Sequence, residues 1–409
     1  TSNATMTDSD GNIKWRPHNL LSYSEDFTNG AWTKASVSVT ANASTAPDGS
    51  NNATKLTTAG TTTYVGQNAL NNASAATFIV KYIDNQWTML NFGGGASTAV
   101  WFDIQNGLVG TQAAGYSGSI VDIGNGWYEC TILASTILTS SYIFPCVNSD
   151  GVYSSTIGKS CYVYNAHSYR SDLGGMVNNP ATGDSYVPTT NSAVYLPRVG
   201  HHIYNGNAWV NEGVLHESEA RTNLTTPSDI SGGGWTGERW GSRTRADWNN
   251  ITNGAVRILA SSNTNPIVNR IYHQSFATSA AGTQCLSFYY KSGSTVPFLH
   301  VRLSADSGTS GVCINTSTDA LTTGYFDGTN ATTAFLTQGV DDVGGGWRRF
   351  FGTISETGSS TDHFLFLYLA TSATNTSSSF AGTETIDLTG VQFEAGSTPS
   401  SYIPTSGST

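Results

Sequence analysis

The chain has 409 residues and a formal net charge of −10, with 11% charged and 11% aromatic residues. Its longest basic cluster, Trp347-Arg348-Arg349, is too small to track a phosphate backbone, so nucleic acid is not an expected partner. No apolar run approaches the roughly 18–20 residues that span a bilayer, so membrane insertion is not expected either.

The length predicts two or three domains. Low charge with many Thr, Val, Tyr and Trp residues suits strands, and the abundant Gly, Asn and Ser supply turns. Residues 1–17 read as a hairpin segment turning at Asp8-Ser9-Asp10-Gly11, with Ile13 and Trp15 as apolar anchors. Residues 18–190 read as a first β-sandwich. Within it "TFIVKYI" and "CYVYNAHSY" are strand-like, and residues 99–110 alternate Val100, Phe102 and Ile104 inward before an Asn106-Gly107 turn. The same parity puts Trp87 and Trp101 on the opposite face, exposed or at an interface.

Residues 191–220 read as a connecting hairpin turning at Asn205-Gly206. Its apolar residues predict docking on a neighbouring domain or a sister chain rather than a free linker. Residues 221–409 read as a second sandwich. There Leu299, Val301 and Leu303 share one strand face, with Phe298, His300 and Arg302 on the other. Helical stripes with caps are absent. The expected fold is all-β: two tandem jelly-roll-like antiparallel β-sandwiches joined by a β-hairpin segment.

The two halves repeat landmarks in order. "HNLLSYSEDFTNGAWT" (18–33) answers to "RTNLTTPSDISGGGWT" (221–236), and "DIGNGWYECTI" (122–132) to "DVGGGWRRFFGTI" (342–354). "SYVPT" (185–189) answers to "SYIPT" (401–405). Four landmarks in register, counting Trp32/Trp235 and Trp127/Trp347 separately, predict homologous units. Pro188 and Pro404 mark the turn that ends each one.

The landmarks resemble a module of bacteriophage virion proteins found in head-spike, head-fibre and tail-fibre chains. Its opening stretch matches Gly213-Val214-Leu215, Glu217, Glu219 and Arg221-Thr222-Asn223-Leu224 before the second unit. It matches Asn19-Leu20-Leu21, Tyr23-Ser24-Glu25, Phe27 and Trp32 in the first. Its closing stretch matches Gln392, Glu394, Gly396 and Ser401 to Thr405, and is degraded in the first unit, where Tyr169-Arg170-Ser171 replaces the Gln-x-Glu. The resemblance implies a non-enzymatic structural protein at the virion surface, assembled in the bacterial cytoplasm beside other virion proteins, as a homo-oligomer (a trimer by analogy with fibres). It implies attachment to surface glycans or decoration of the particle. The chain is similar, more loosely, to jelly-roll carbohydrate-binding modules, so a module pair from a secreted polysaccharide-degrading enzyme is an alternative. Purely architectural capsid decoration is another.

Trp32, Trp127, Trp235 and Trp347 read as core anchors between the sheets, with sugar stacking as the competing role. The stretch 235–250 gathers Trp240, Trp248, Arg239, Arg243 and Arg245. Aromatic planes beside fork-shaped donors suit a glycan; a subunit contact is the leading alternative and plain packing the third. Trp87 and Trp101 are the corresponding candidates in the first unit. Glu219 and Arg221 read as an ion pair fixing the strand into the second unit. Glu25 and Glu394 approach each other if first and last strands pair, but two carboxylates fall short of a calcium site. Adjacent His201 and His202 point to opposite faces of a strand, which argues against zinc. No cofactor, metal or catalytic residue is expected. The five cysteines form no CxxC, and three of them, Cys130, Cys161 and Cys285, sit in strand-like runs, which predicts free buried thiols and assembly in a reducing compartment.

Overall fold

The computed structural model describes residues 4–405 except 94, 216, 218–220, 226, 232, 239, 250, 263–266, 279–280, 306–307, 327–328, 331–332 and 358–359. The fold is all-β and divides into two compact β-sandwich units. One is Lys14–Pro197; the other joins residues 4–13 to residues 198–405. The hairpin of Arg198–Tyr204 and Trp209–Leu215 therefore belongs to the second unit, as does the extreme N-terminal strand Thr5–Thr7.

The first unit is built on a ten-stranded antiparallel sheet folded over on itself, with His18–Asn19 and Val194–Tyr195 paired as a separate two-stranded sheet. Two long strands, Tyr64–Tyr82 and Trp127–Val147, make the fold possible because each serves both layers. Trp127 to Leu133 pair with Lys81 to Ala75, and Ser140 to Ile143 pair with Asn68 to Val65, with register slips between. Asn72 adopts positive φ in the slipped region, a conformation its short polar side chain tolerates. Phe78, Val80, Cys130, Ile132 and Val163 from one layer then meet Val65, Leu90, Val100, Phe102 and Ile143 from the other. Each such fully buried large side chain contributes about 1.5–3 kcal/mol relative to exposure.

The second unit has two separate sheets. One orders Trp235–Glu238, Ile267–Thr278, Ser360–Ala370, Phe298–Ala305, Gly308–Asn315 and Leu321–Thr323; Ser377–Ser378 also pairs with the second of these. The other orders Trp240–Trp248, Ile251–Ala260, Thr385–Ala395, Gly282–Lys291, Trp347–Glu356 and Gln338–Asp342. Leu299, Val301 and Leu303 lie in the core as their alternation predicts, against Leu286, Phe288, Phe350 and Leu388.

Each unit is closed by the same clasp. Asn19 is fully buried; its Nδ2 donates to Ala166 O and Val187 O at 3.0 and 2.8 Å, and its Oδ1 accepts from the Leu21 and Ser168 amides. Asn223 repeats all four bonds with Val391 O, Ile403 O, Thr225 N and Phe393 N. Ser24 Oγ meets the Tyr186 hydroxyl at 3.0 Å and accepts from Thr189 N; Ser228 does the same with Tyr402 at 2.7 Å and Thr405 N. Pro188 and Pro404 sit between the two bonded residues, where a fixed φ helps and no N–H is left to satisfy. The Ser-Tyr-x-Pro-Thr ending is a tether to the opening Asn-x-x-x-x-Ser.

The clasp also corrects the sequence alignment. Ser168 and Phe393 share one role, so His167 and Tyr169 stand where the second unit has Gln392 and Glu394. Tyr169-Arg170-Ser171 is two residues too far along.

Candidate functional site

Trp32 and Trp235 are core anchors as expected, and their indole Nε1 groups donate to equivalent carbonyls, Tyr23 O and Pro227 O, both at 2.9 Å. Trp127 and Trp347 are buried but are not between the sheets. The alternation that turns Cys130 and Phe350 inward turns both indoles to the outer face. There Trp127 packs on Ala46, Ala53 and Tyr164, and Trp347 on Trp248. A lysine directly across the strand pair covers each ring, Lys81 at 5.8 Å and Lys291 at 5.5 Å from the centroid.

Trp101 occupies the predicted outer face but is only 1% exposed, which overturns its assignment as a platform. Met89, Phe144 and Val147 enclose it, and its Nε1 donates to Val152 O at 2.8 Å. Trp87 borders the same cluster, half-buried. Trp248 is likewise 1% exposed, packed on Tyr289, Trp347 and Tyr402. Arg243 donates to Ile230 O, beneath the 229–231 turn. Arg239, the Trp240 side chain and Glu219 lie outside the described residues. Arg221 lies 3.9 Å from Glu394 and donates to Thr398 O. Its guanidinium lies where a Cβ on Gly396 would fall, which explains that glycine of the closing pattern. Glu25 and Glu394 belong to different units, so the expected approach within one domain does not occur. Tyr186 donates to Glu25, whereas Glu394 is fully buried and accepts from Ser400 N and Gln392 Nε2 at 2.7 Å each. A bulge between Val199 and His202 breaks strict alternation, and both histidines line one cavity. Among the described residues no group of three or more His, Cys, Asp or Glu is placed to hold a metal ion.

What the 235–250 stretch does contribute is Arg245, Asp247 and Asn249, beside a cavity of about 690 Å³ in the second unit. Trp209, Asp10, Arg257, Lys291, Trp347 and Asp387 complete its polar lining. Strand Trp240–Trp248 and the turn after it place Asp247 and Asn249, where Asp247 Oδ1 accepts from Asn253 N at 3.0 Å and Asn249 takes positive φ. The hairpin places Trp209. Its indole is wedged between Gly11 and Gly344, both at positive φ; a Cβ on either would lie 2.2–2.4 Å from the ring. Asn249 Nδ2 donates to Gly11 O at 3.1 Å.

Two of the cations are committed. Arg257 grips Asp387 with two bonds of 2.7 and 2.8 Å, which raises the guanidinium further above its ordinary range, and Arg245 pairs with Asp229 at 2.7 Å. Among the described residues the Lys291 ammonium meets the Gly345 carbonyl and the Trp347 ring and no carboxylate. Asp10 and Asp247 carry carboxylates without a cation. The lining as a whole is balanced, Arg245, Arg257 and Lys291 against Asp10, Asp247 and Asp387, and among the described residues the groups left outside ion pairs are one ammonium, two carboxylates and an indole. Such a surface favours an uncharged ligand rich in hydroxyls over an anion or a cation. Sequence reasoning missed Trp209 and Lys291, which are distant in the chain; the Gly-Gly-Gly-Trp turn they both touch was the available signal.

No protein-family model matches the chain, and no curated protein matches it. Among solved structures it is similar to the N-terminal CBM22-1–CBM22-2 tandem domain of Xyn10C from Paenibacillus barcinonensis, at 12% identity and a TM-score of 0.27, covering 93% of this chain and 98% of that one. It is also similar to a Paenibacillus xanthan lyase, at 11% identity and TM-score 0.23, covering 88% of this chain and 25% of the lyase. A third is the cycloalternan-forming enzyme of Listeria monocytogenes, at 9% identity and TM-score 0.19, covering 96% and 25%. The chain spans about a quarter of the length of these two enzymes. At such TM-scores the likeness carries no weight for ligand or activity.

Proposed function

We propose that this chain is a non-catalytic glycan-binding protein of a bacteriophage virion, a head or tail fibre or spike that attaches the particle to surface polysaccharide. The supporting observation is the charge-balanced, indole-bearing cavity around Asp247, Asn249, Lys291 and Trp209, with polar groups left open for hydroxyls. The virion setting rests on the resemblance of the opening and closing stretches. It is also favoured by five buried cysteines, all free. Cys146 and Cys161 are near enough to act on each other's ionisation and carry free thiols, as suits a reducing cytoplasm. A carbohydrate-binding pair from a polysaccharide-degrading enzyme would use the same cavity, so the setting needs its own test.

A bacterial glycan array probed with the whole chain tests the ligand class. Specific hits are expected, and a blank array leaves the architectural reading standing. Immunogold labelling of purified particles tests the setting, with signal expected on the particle surface. A protein absent from particles and recovered attached to a hydrolase would establish the alternative.

A further inference from the structure

A second cavity, of about 800 Å³, lies in the same unit under the 198–215 hairpin. Small-molecule sites span roughly 300–1,000 Å³ and combine aromatic walls with a few placed polar groups. Tyr204 and Trp209, both half-buried with ring centroids 5.4 Å apart, give it such a wall, backed by the buried rings of Trp248, Tyr289 and Tyr402. Its polar groups are unusually uncommitted. Tyr289 is 5% exposed and its hydroxyl has no hydrogen-bond partner among the described residues. The Arg349 guanidinium lies 5.2 Å from the Tyr289 ring centroid; one arm donates to Ser287 Oγ at 3.0 Å, and its buried Nε has no partner. The Trp209 indole N–H is also unpartnered. Of these the Arg349 Nε is the fully buried donor without a partner, which costs about 1–3 kcal/mol, a cost that a bound ligand removes.

The charges select the ligand class. Glu217 pairs with Arg198 and Asp342 with Arg348, which leaves Asp341 against Arg349, and burial holds His201 below the ordinary imidazole range, so the lining carries no net charge to favour an anion or a cation. A neutral hydroxylated ring meets the requirements: C–H faces against the aromatic wall, hydroxyls toward Arg349, Tyr289 and the carboxylates. Trp209 and Asn249 line both cavities, so the two share a wall.

We propose that the two cavities are adjacent subsites of one cleft for a neutral oligosaccharide of at least two rings, with Trp209 and Asn249 between them. This rests on the glycan-binding reading and specifies its ligand. Titration calorimetry on the whole chain tests it with cellotriose and glucose, chitotriose and N-acetylglucosamine, and mannotriose and mannose. One trisaccharide is expected to bind at least about tenfold more tightly than its monosaccharide. Asp247→Asn, in the first cavity, and Tyr289→Phe, in the second, are each expected to weaken it by about three- to tenfold. Tyr289→Phe removes an oxygen that no protein group uses, so its melting temperature stays at the wild-type value. If a trisaccharide binds, Asp247→Asn weakens it and Tyr289→Phe does not, the second subsite is wrong and the glycan reading stands. Binding of none of the six probes overturns the subsite proposal, and an array without hits overturns the glycan reading as well.

Discussion

Asn223 makes four hydrogen bonds, all to backbone groups of the opening and closing segments, from a fully buried position. An alanine there strands two carbonyls and two amides, so Asn223→Ala is expected to cost about 3 kcal/mol, against about 1 kcal/mol for Tyr402→Phe, which removes the hydroxyl bonded to Ser228. Urea unfolding midpoints measure both, and equal costs would contradict the clasp. Two buried histidines set a second residue-scale expectation. Burial lowers His18 to about 4 and His167 to about 3, so both stay neutral in the folded first unit where the unfolded chain already takes up protons near 6.5. Their contribution is complete above about pH 6.5 and is lost as pH falls toward 4, on the order of 3 kcal/mol each. Denaturant midpoints of a fragment spanning 14–197 should fall steeply through that window; a flat profile would show that the two rings are not buried neutral.

At the scale of elements, the hairpin is held on its unit by one indole in a slot between two glycines. Gly344→Ala puts a Cβ 2.4 Å from Trp209 Cζ2 at a backbone φ of +76°, so the ring must leave or the turn must move. Hydrogen–deuterium exchange should accelerate across residues 198–215 while the 298–305 strand keeps its protection. Unchanged exchange in the hairpin would mean that Trp209 is not what seats it. This is also the scale at which the sequence was most and least informative. Period-two alternation assigned the Leu299, Val301, Leu303 face and the inward set around Phe102 because side-chain parity is a local property. It could not reveal that residues 64–82 and 127–147 serve two layers, since a strand that bends between layers keeps its alternation. Parity did place Trp87 and Trp101 on the outer face. That Trp101 is covered depends on the 148–155 segment, whose Val152 carbonyl it bonds, and nothing local encodes that return. Trp127 and Trp347 were misplaced for the opposite reason: their Gly-rich turns suggested a core anchor, although counting back from Cys130 and Phe350 puts them outside.

For the whole molecule, the repeat was legible because its landmarks are the residues of the clasp, which tolerate few substitutes. The cleft was legible only in part. Arg245 lay in the stretch singled out for ligand binding, whereas Trp209, Lys291 and Asp10 reach the site through long-range folding, and Asp10 arrives from a segment that joins the second unit across the length of the first. Thiol chemistry bears on where the molecule assembles. Burial pushes Cys285 up to about 12 and Cys313 up to about 11, so neither presents a thiolate at neutral pH. Protein purified without reductant should show five thiols to Ellman's reagent once unfolded and almost none while folded. A count of three would mean one disulfide, with Cys146 and Cys161 as the pair, and an oxidising origin.

The central claim is that the cleft beside Trp209 binds glycan, and one titration addresses it most directly. The strongest glycan from the array is titrated into the wild-type chain and into an Asp247→Asn, Lys291→Met double variant, whose two side chains line the cavity without an ion-pair partner. The predicted result is an affinity loss of at least about tenfold in the variant with its melting temperature unchanged. Wild-type affinity in the double variant would place the ligand elsewhere and contradict the account.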